Sequence, residues 1–142
     1  MTPILLSPIL AGAIAQGIKF LLKTNKQKFS FKNLLAYSGM PSGHSAMVVA
    51  LAMSVALEEG WDSSLFAVAF ILAIIVIRDA LGIRRYLGRH GKTINVLIED
   101  LGEDKFLDKE YPHLLEHVGH TPAQVIVGSL IGFLVSILIY IL

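Results

Sequence analysis

A chain of 142 residues is enough for one domain and short for two. With 54% hydrophobic and only 16% charged residues, and a mean hydropathy of +0.66, it is too apolar for an ordinary soluble domain and reads as a membrane protein. A net charge of +1 gives no global field that would draw nucleic acid, and the absence of cysteine excludes disulfides, thiol nucleophiles and thiolate metal sites.

The opening "MTPILLSPILAGAIAQGIKFLLK" has no basic start before its apolar run, which extends from about Ile4 to Leu22. It therefore reads as a retained membrane helix in preference to a cleaved signal peptide. A loop follows, "KTNKQKFSFKN", with Lys23, Lys26, Lys28 and Lys32 and no acid. A second apolar stretch runs from near Ser42 to Leu57, and the short acidic "EEGWD" after it offers Trp61 as an interfacial anchor. The third stretch covers Ser63 to Ile77. From Arg78 to Gly119 the chain is highly charged, basic at first (Arg78, Arg84, Arg85, Arg89, Lys92) and then acidic (Glu99, Asp100, Glu103, Asp104). The fourth apolar stretch fills residues 121–142 without a charge.

A spanning helix needs roughly 20 residues. The fourth stretch meets this; the second and third are short and need flanking residues or a thinner bilayer. The expectation is an all-α polytopic membrane bundle, a single domain over residues 1–142 with about four transmembrane helices. Short amphipathic helices are expected in the long third loop, at "INVLIEDL" and around "EYPHLLEHVG", lying along the membrane surface. A soluble bundle of very greasy helices is the alternative.

With four spans, the first and third loops lie on one side, and their Lys/Arg excess puts that side in the cytoplasm with both termini outside. Alternate spans then bring Lys19, His44, Arg78, Asp79, His120 and Gln124 to the same membrane face. Ionisable groups at the ends of packed membrane helices are costly unless they face one another or water, which makes them functional candidates. Gly12, Gln16 and Lys19 share a face of the first helix. His120 and Gln124 are continued by Gly128 and Gly132, a G-x-x-x-G spacing that lets another helix approach closely. Short spans and this small-residue face are also compatible with a homodimer.

Two histidines, a lysine and several arginines suit a reacting anion. "GMPSGHSA" (39–46) places Pro41, Ser42 and Gly43 where a helix would start. Such a helix mouth offers free N–H donors and the positive dipole end to phosphate. Imidazole serves as nucleophile or general acid near neutral pH, and Lys and Arg hold the charge that develops in phosphoryl transfer. A metal site is the weaker alternative. His113 and His117 have i,i+4 spacing, but no carboxylate-rich cluster accompanies them in the apolar helices, and with His90 they read as solvated loop residues.

"PSGHS" (41–45) resembles the second signature of the type 2 phosphatidic acid phosphatases, which share a fold with vanadium haloperoxidases. "GHTPAQVIVGSLIG" (119–132) resembles the segment that carries the superfamily's third-signature histidine. "AQGIKF", "SGMPSGHSA", "RDALGIRRYLG" and "GHTPAQVIVG", in that order, are closer still to the small divergent PAP2 family of bacterial and plastid membrane proteins. The resemblance covers nearly the whole chain. It implies an integral protein of a bacterial plasma membrane or plastid-type membrane that hydrolyses a lipid phosphate or lipid diphosphate, with no metal or other cofactor. It implies that His120 attacks phosphorus to give a phosphohistidine and that His44 protonates the leaving oxygen. Lys19, Ser42, the Gly43 amide and an arginine would bind the phosphoryl oxygens.

The chain also departs from the superfamily pattern. No Arg–Pro follows Lys19. His113 and Leu114 stand where the third signature has Ser–Arg. Gln124 stands where it has an aspartate, and a neutral amide orients an imidazole but stabilises its charged form poorly. On this reading Asp79 stands in for the missing carboxylate and Arg85, or its neighbours Arg84 and Arg78, for the missing arginine. If the third helix continues past Arg78, then Arg78, Arg85, Arg89 and Lys92 form one stripe. Alternatively, these charges anchor the helix end to anionic headgroups. A catalytically degenerate protein that binds or transports a phosphorylated lipid is the second expectation.

Overall fold

In the computed structural model of the protein, residues 2–22, 39–101, 114, 116 and 118–142 are described. Among these the secondary structure is helical: α1 (Pro3–Leu21), α2 (Gly43–Glu59), α3 (Ser64–Leu81), α4 (Ile83–Leu101) and α5 (Pro122–Ile141). The first loop's lysines, Glu103, Asp104, His113 and His117 lie outside the described residues, as does most of "EYPHLLEHVG".

Local chemistry sets the helix starts. Ser42, Ser63 and Thr121 cap α2, α3 and α5, each side chain accepting a backbone N–H one turn on, and prolines occupy the first turns of α1 and α5. Gly60, at φ +92°, ends α2, and its carbonyl accepts from the Ser63 hydroxyl at 2.8 Å, so α3 turns back at once.

Helix α2 lies at the centre, packed on α1, α3 and α5. The interior is made of small side chains. Ala11 and Ala15 of α1 meet Ala46 and Ala50 of α2, and Ala52 and Val55 of α2 meet Ala69 and Ala73 of α3. Large residues point outward, among them Leu65, Val68, Ile71 and Ile75 of α3 and Leu130, Leu134 and Leu138 of α5. Lipid tails are as apolar as leucine, so membrane helices gain by close backbone approach instead of by hiding leucines. The approach is tightest between α2 and α5, where a Cβ on Gly128 would collide with the Ser42 carbonyl and one on Gly132 with that of Ala46. One turn on, the Ser136 hydroxyl donates to the Ala50 carbonyl across the interface at 3.0 Å. The G-x-x-x-G face is thus filled by α2 of the same chain and is not left for a second copy.

Among the described residues, three helical stretches are long and apolar enough to cross a membrane: Pro3–Leu21, Ser64–Asp100 and Pro122–Ile141. The third apolar stretch, expected to be short, runs through Arg78 and Asp79 to Leu81. Helix α2 has 17 residues and rises about 25 Å, short of the roughly 30 Å hydrocarbon core.

The stripe expected from a helix continuing past Arg78 is interrupted. Gly82 caps α3 by donating to the Arg78 carbonyl at 2.8 Å, and it starts α4 by accepting from Tyr86 at 3.1 Å. Arg78 therefore parts from Arg85, Arg89 and Lys92. Helix α4 is also longer than the short pieces expected, at 19 residues. It is strongly amphipathic, with Ile83, Leu87, Ile94 and Leu97 exposed along one side and Arg85, Arg89 and Lys92 on the other.

The α2–α5 contact yields a direct test. Gly132→Leu should lower the thermal unfolding midpoint in detergent by at least about 5 °C, because overpacking by a whole side chain costs on the order of 1–3 kcal/mol or more. Leu134→Ala, on the exposed face of α5, should leave it within about 2 °C. Equal midpoints for both variants would mean that the close approach is not what holds α5.

Candidate active site

The ends of the four bundle helices meet at one end of the molecule. His120 precedes the cap of α5 and is only 3% exposed. Its backbone N–H donates to the Ala80 carbonyl at the end of α3, at 3.0 Å. Gly119 before it sits at φ +91°, with its missing Cβ facing the backbone of Arg84 and Arg85. On α4, Gly88 makes the matching concession: a Cβ there would collide with the Glu116 carbonyl. Two glycines on facing surfaces thus let the segment that delivers His120 lie directly on the first turns of α4.

Gln124 controls the imidazole. "TPAQ" forms a capping box in which the Thr121 hydroxyl accepts from the Gln124 N–H and the Gln124 side chain accepts from the Thr121 N–H, at 3.0 Å. A backbone N–H only donates, so the amide atom facing it is the oxygen Oε1. That same oxygen lies 3.2 Å from Nδ1 of His120. Nδ1 therefore carries the proton, and Nε2 keeps its lone pair for an electrophile.

Across from it stands His44, in the first turn of α2 and solvent-exposed, with its ring centroid 6.4 Å from that of His120. The α2 mouth is tied to α5 by the Ser42 N–H, which donates to the Gln124 carbonyl at 3.0 Å. Ser42 is wholly buried and caps the helix, taking the Ser45 N–H on Oγ and the Ala46 N–H on its carbonyl. This leaves Gly43 and His44 as the open N–H donors of that helix mouth. Among the described residues a Cβ at position 43 would reach Gln16, at an ordinary contact distance of 3.9 Å.

Lys19, 3% exposed near the end of α1, and Arg84 both act electrostatically on the two histidines. Asp79 pairs with Arg84, and His120 is held by Gln124, so the nearby carboxylate faces a guanidinium instead of the buried imidazole. Burial above all, with the positive charge of Lys19 and Arg84 and the nearby His44, pushes His120 below its ordinary value of 6.5, against the opposing hydrogen bond to Gln124. At neutral pH the ring is therefore uncharged.

Beside His120 a cleft of about 330 Å³ opens, lined by Arg85, Arg89, Lys92, Glu116, Thr121 and Gln124 among others. Arg85 thus belongs to the cleft and Arg84 to the histidines, while Arg78 is exposed in the last turn of α3 and lines neither.

Sequence reasoning missed Asn95. It is 3% exposed, and its side chain grips Leu114 twice, accepting from the backbone N–H at 3.0 Å and donating to the carbonyl at 3.0 Å. It also donates to the Glu116 carboxylate at 2.9 Å. A polar residue between Ile94 and Val96 was the available signal. The capping box in "TPAQ" was legible too, by its Thr-x-x-Gln spacing.

Two outcomes are expected. His120 should titrate below 6.5 with the proton on Nδ1 by ¹⁵N NMR in detergent, and Gln124→Glu should raise its midpoint, because a carboxylate favours the imidazolium. Its contribution to stability is full above 6.5 and is lost as pH falls below that value, because the unfolded chain takes the proton first. An Nε2–H tautomer would refute the assigned orientation. Asn95→Ala should speed proteolysis within residues 114–120 by about tenfold, since orphaning the Leu114 backbone costs on the order of 1–3 kcal/mol; unchanged cleavage would mean that the clamp does not hold this segment.

The divergent PAP2 family matches residues 1–135 of the chain. The chain is 39% identical to the uncharacterized membrane protein YuiD of Bacillus subtilis (strain 168), over 95% of this chain and 92% of that protein. No solved structure matches it. The segments that meet at the helix ends lie within that match, and the chain is an integral membrane protein belonging to the divergent PAP2 family.

Proposed function

We propose that this protein hydrolyses a phosphomonoester or diphosphate carried on a lipid, through a phosphohistidine on His120. The observation that carries this is the contact of His120 Nδ1 with Gln124, which turns Nε2 into the nucleophilic nitrogen, together with a second imidazole 6.4 Å away. A site that only binds phosphate needs cations, not a second positioned imidazole.

In the first step, Nε2 of His120 attacks phosphorus, the bond from phosphorus to the leaving oxygen breaks, and His44 gives that oxygen its proton. In the second, water attacks the phosphohistidine. His44 takes the water's proton, the P–N bond breaks, orthophosphate leaves and His120 is restored. Lys19, Arg84 and the α2 N-terminal amides would offset the charge on the phosphoryl oxygens. Gln124 keeps the tautomer but adds no negative charge, so the phosphohistidine gains less support than a carboxylate would give.

Two observations support a lipid substrate. The reacting groups stand at the end of apolar helices, and α4 exposes Ile83, Leu87 and Ile94 while its basic side lines the cleft. An amphipathic helix of this kind lies in the bilayer interface, with its charged face toward headgroups. The lysine-rich first loop favours the cytoplasmic face for this end of the molecule.

The test is phosphate release by purified protein in detergent with EDTA, across a panel of lipid phosphates. His120→Ala should abolish release and the acid-labile phosphoenzyme, and His44→Ala should slow release about 10²–10⁴-fold. Lipid binding without release from any substrate, unaltered in both variants, would instead make the protein a non-catalytic binder of phosphorylated lipid.

A further inference from the structure

The mechanism above uses Lys19 and Arg84, the cations that act on both histidines. It leaves Arg85, Arg89 and Lys92 without a task. Their spacing puts all three on one face of α4, and all three line the cleft beside His120. At about 330 Å³ that cleft reaches the size of small-molecule sites and exceeds what a single phosphoryl group fills.

The cleft is built into the fold. The Gly88 and Gly119 approaches press the His120 segment against α4, and Asn95 pins that segment further along the same helix. Glu116 is the carboxylate among the lining residues, and its Oε1 is engaged by Asn95 Nδ2 at 2.9 Å. Three cations thus face one carboxylate that already has a donor. Arg89 also lies over the Tyr86 ring, 5.8 Å from its centroid, which restricts where its guanidinium points. The side of α4 that carries Ile83, Leu87 and Ile94 is the one suited to the bilayer, and the three cations lie on its opposite side, where they line the cleft.

We infer that Arg85, Arg89 and Lys92 form a second anion subsite, for a phosphate of the substrate other than the one His120 attacks. This rests on the proposed phosphatase reading and narrows it to headgroups that carry two phosphates. A diphosphate presents them through a bridging oxygen; a headgroup with a phosphodiester and a terminal phosphomonoester presents them apart. Guanidinium pairs are the side chains best suited to hold such a group, through paired N–H donors.

The experiment has a binding arm and a turnover arm. Inorganic phosphate and pyrophosphate are titrated calorimetrically into full-length His120→Ala protein in neutral detergent at about 0.15 M salt, which screens general charge attraction. Pyrophosphate should bind at least about tenfold more tightly, and Arg89→Gln with Lys92→Gln should bring the ratio to within about twofold. Both positions are exposed, so these changes leave the fold intact. Equal affinities before substitution, or a preference that survives it, would overturn the subsite.

In the turnover arm, kcat/KM is compared for a lipid monophosphate, a lipid diphosphate, and a lipid bearing both a phosphodiester and a phosphomonoester. A two-phosphate substrate should lead by about tenfold or more, and whichever leads identifies the spacing. Rapid monophosphate hydrolysis without any such lead would sink the subsite and leave the phosphatase standing. A pyrophosphate preference with no turnover of any lipid would do the reverse.

Discussion

The site depends on one contact, the meeting of the N-termini of α2 and α5. The Ser42 N–H donates to the Gln124 carbonyl, and one turn on the missing side chain of Gly128 admits the Ser42 carbonyl against α5. Two helix starts are thereby fixed in register by backbone alone. His44 stands in the first turn of the first and His120 just ahead of the second, so the approach of their rings follows from that register. Packing by glycine and alanine gives this positioning little rotamer freedom to lose.

The second constraint is local. One amide oxygen accepts from Thr121 to start a helix and from His120 to orient an imidazole. Structural and chemical roles coincide in Gln124, which is why a neutral residue can stand there without leaving the ring adrift. The charge that a carboxylate would have supplied is not replaced at this position, since Asp79 is engaged with Arg84. The surroundings of His120 instead favour the uncharged ring, a suitable state for a nucleophile and a poor one for a proton donor.

Much of this was legible in the sequence. Apolar runs gave the bundle helices, and their alternating direction was enough to bring Lys19, His44, Asp79 and His120 to one end. What stayed hidden has physical reasons. Helix α4 read as a shorter piece because the apolar spacing is confined to "INVLIEDL", and nothing in the sequence announces the residues that pack on Gly88. Arg84 and Arg85 differ by one residue, hence by about 100° around a helix, and only the turn at Gly82 decides which one meets the histidines. Asn95 acts across 19 residues of sequence, on a segment with no periodicity to announce it. The G-x-x-x-G spacing was visible, but not whether its partner was another helix of this chain or a second copy.

The small-residue interior also bears on how such a protein can change over generations. In a soluble domain the core resists truncation and the surface drifts freely. Here the interior resists enlargement, since Gly128 and Gly132 have backbone where a new side chain would go and Ala46 and Ala50 are wholly buried. The large apolar residues facing outward touch solvent-like lipid and are interchangeable among themselves. Divergence therefore has room in the leucines, isoleucines and valines that make up most of the hydrophobic bulk, so overall identity can erode quickly while the spacing between the two imidazoles does not move.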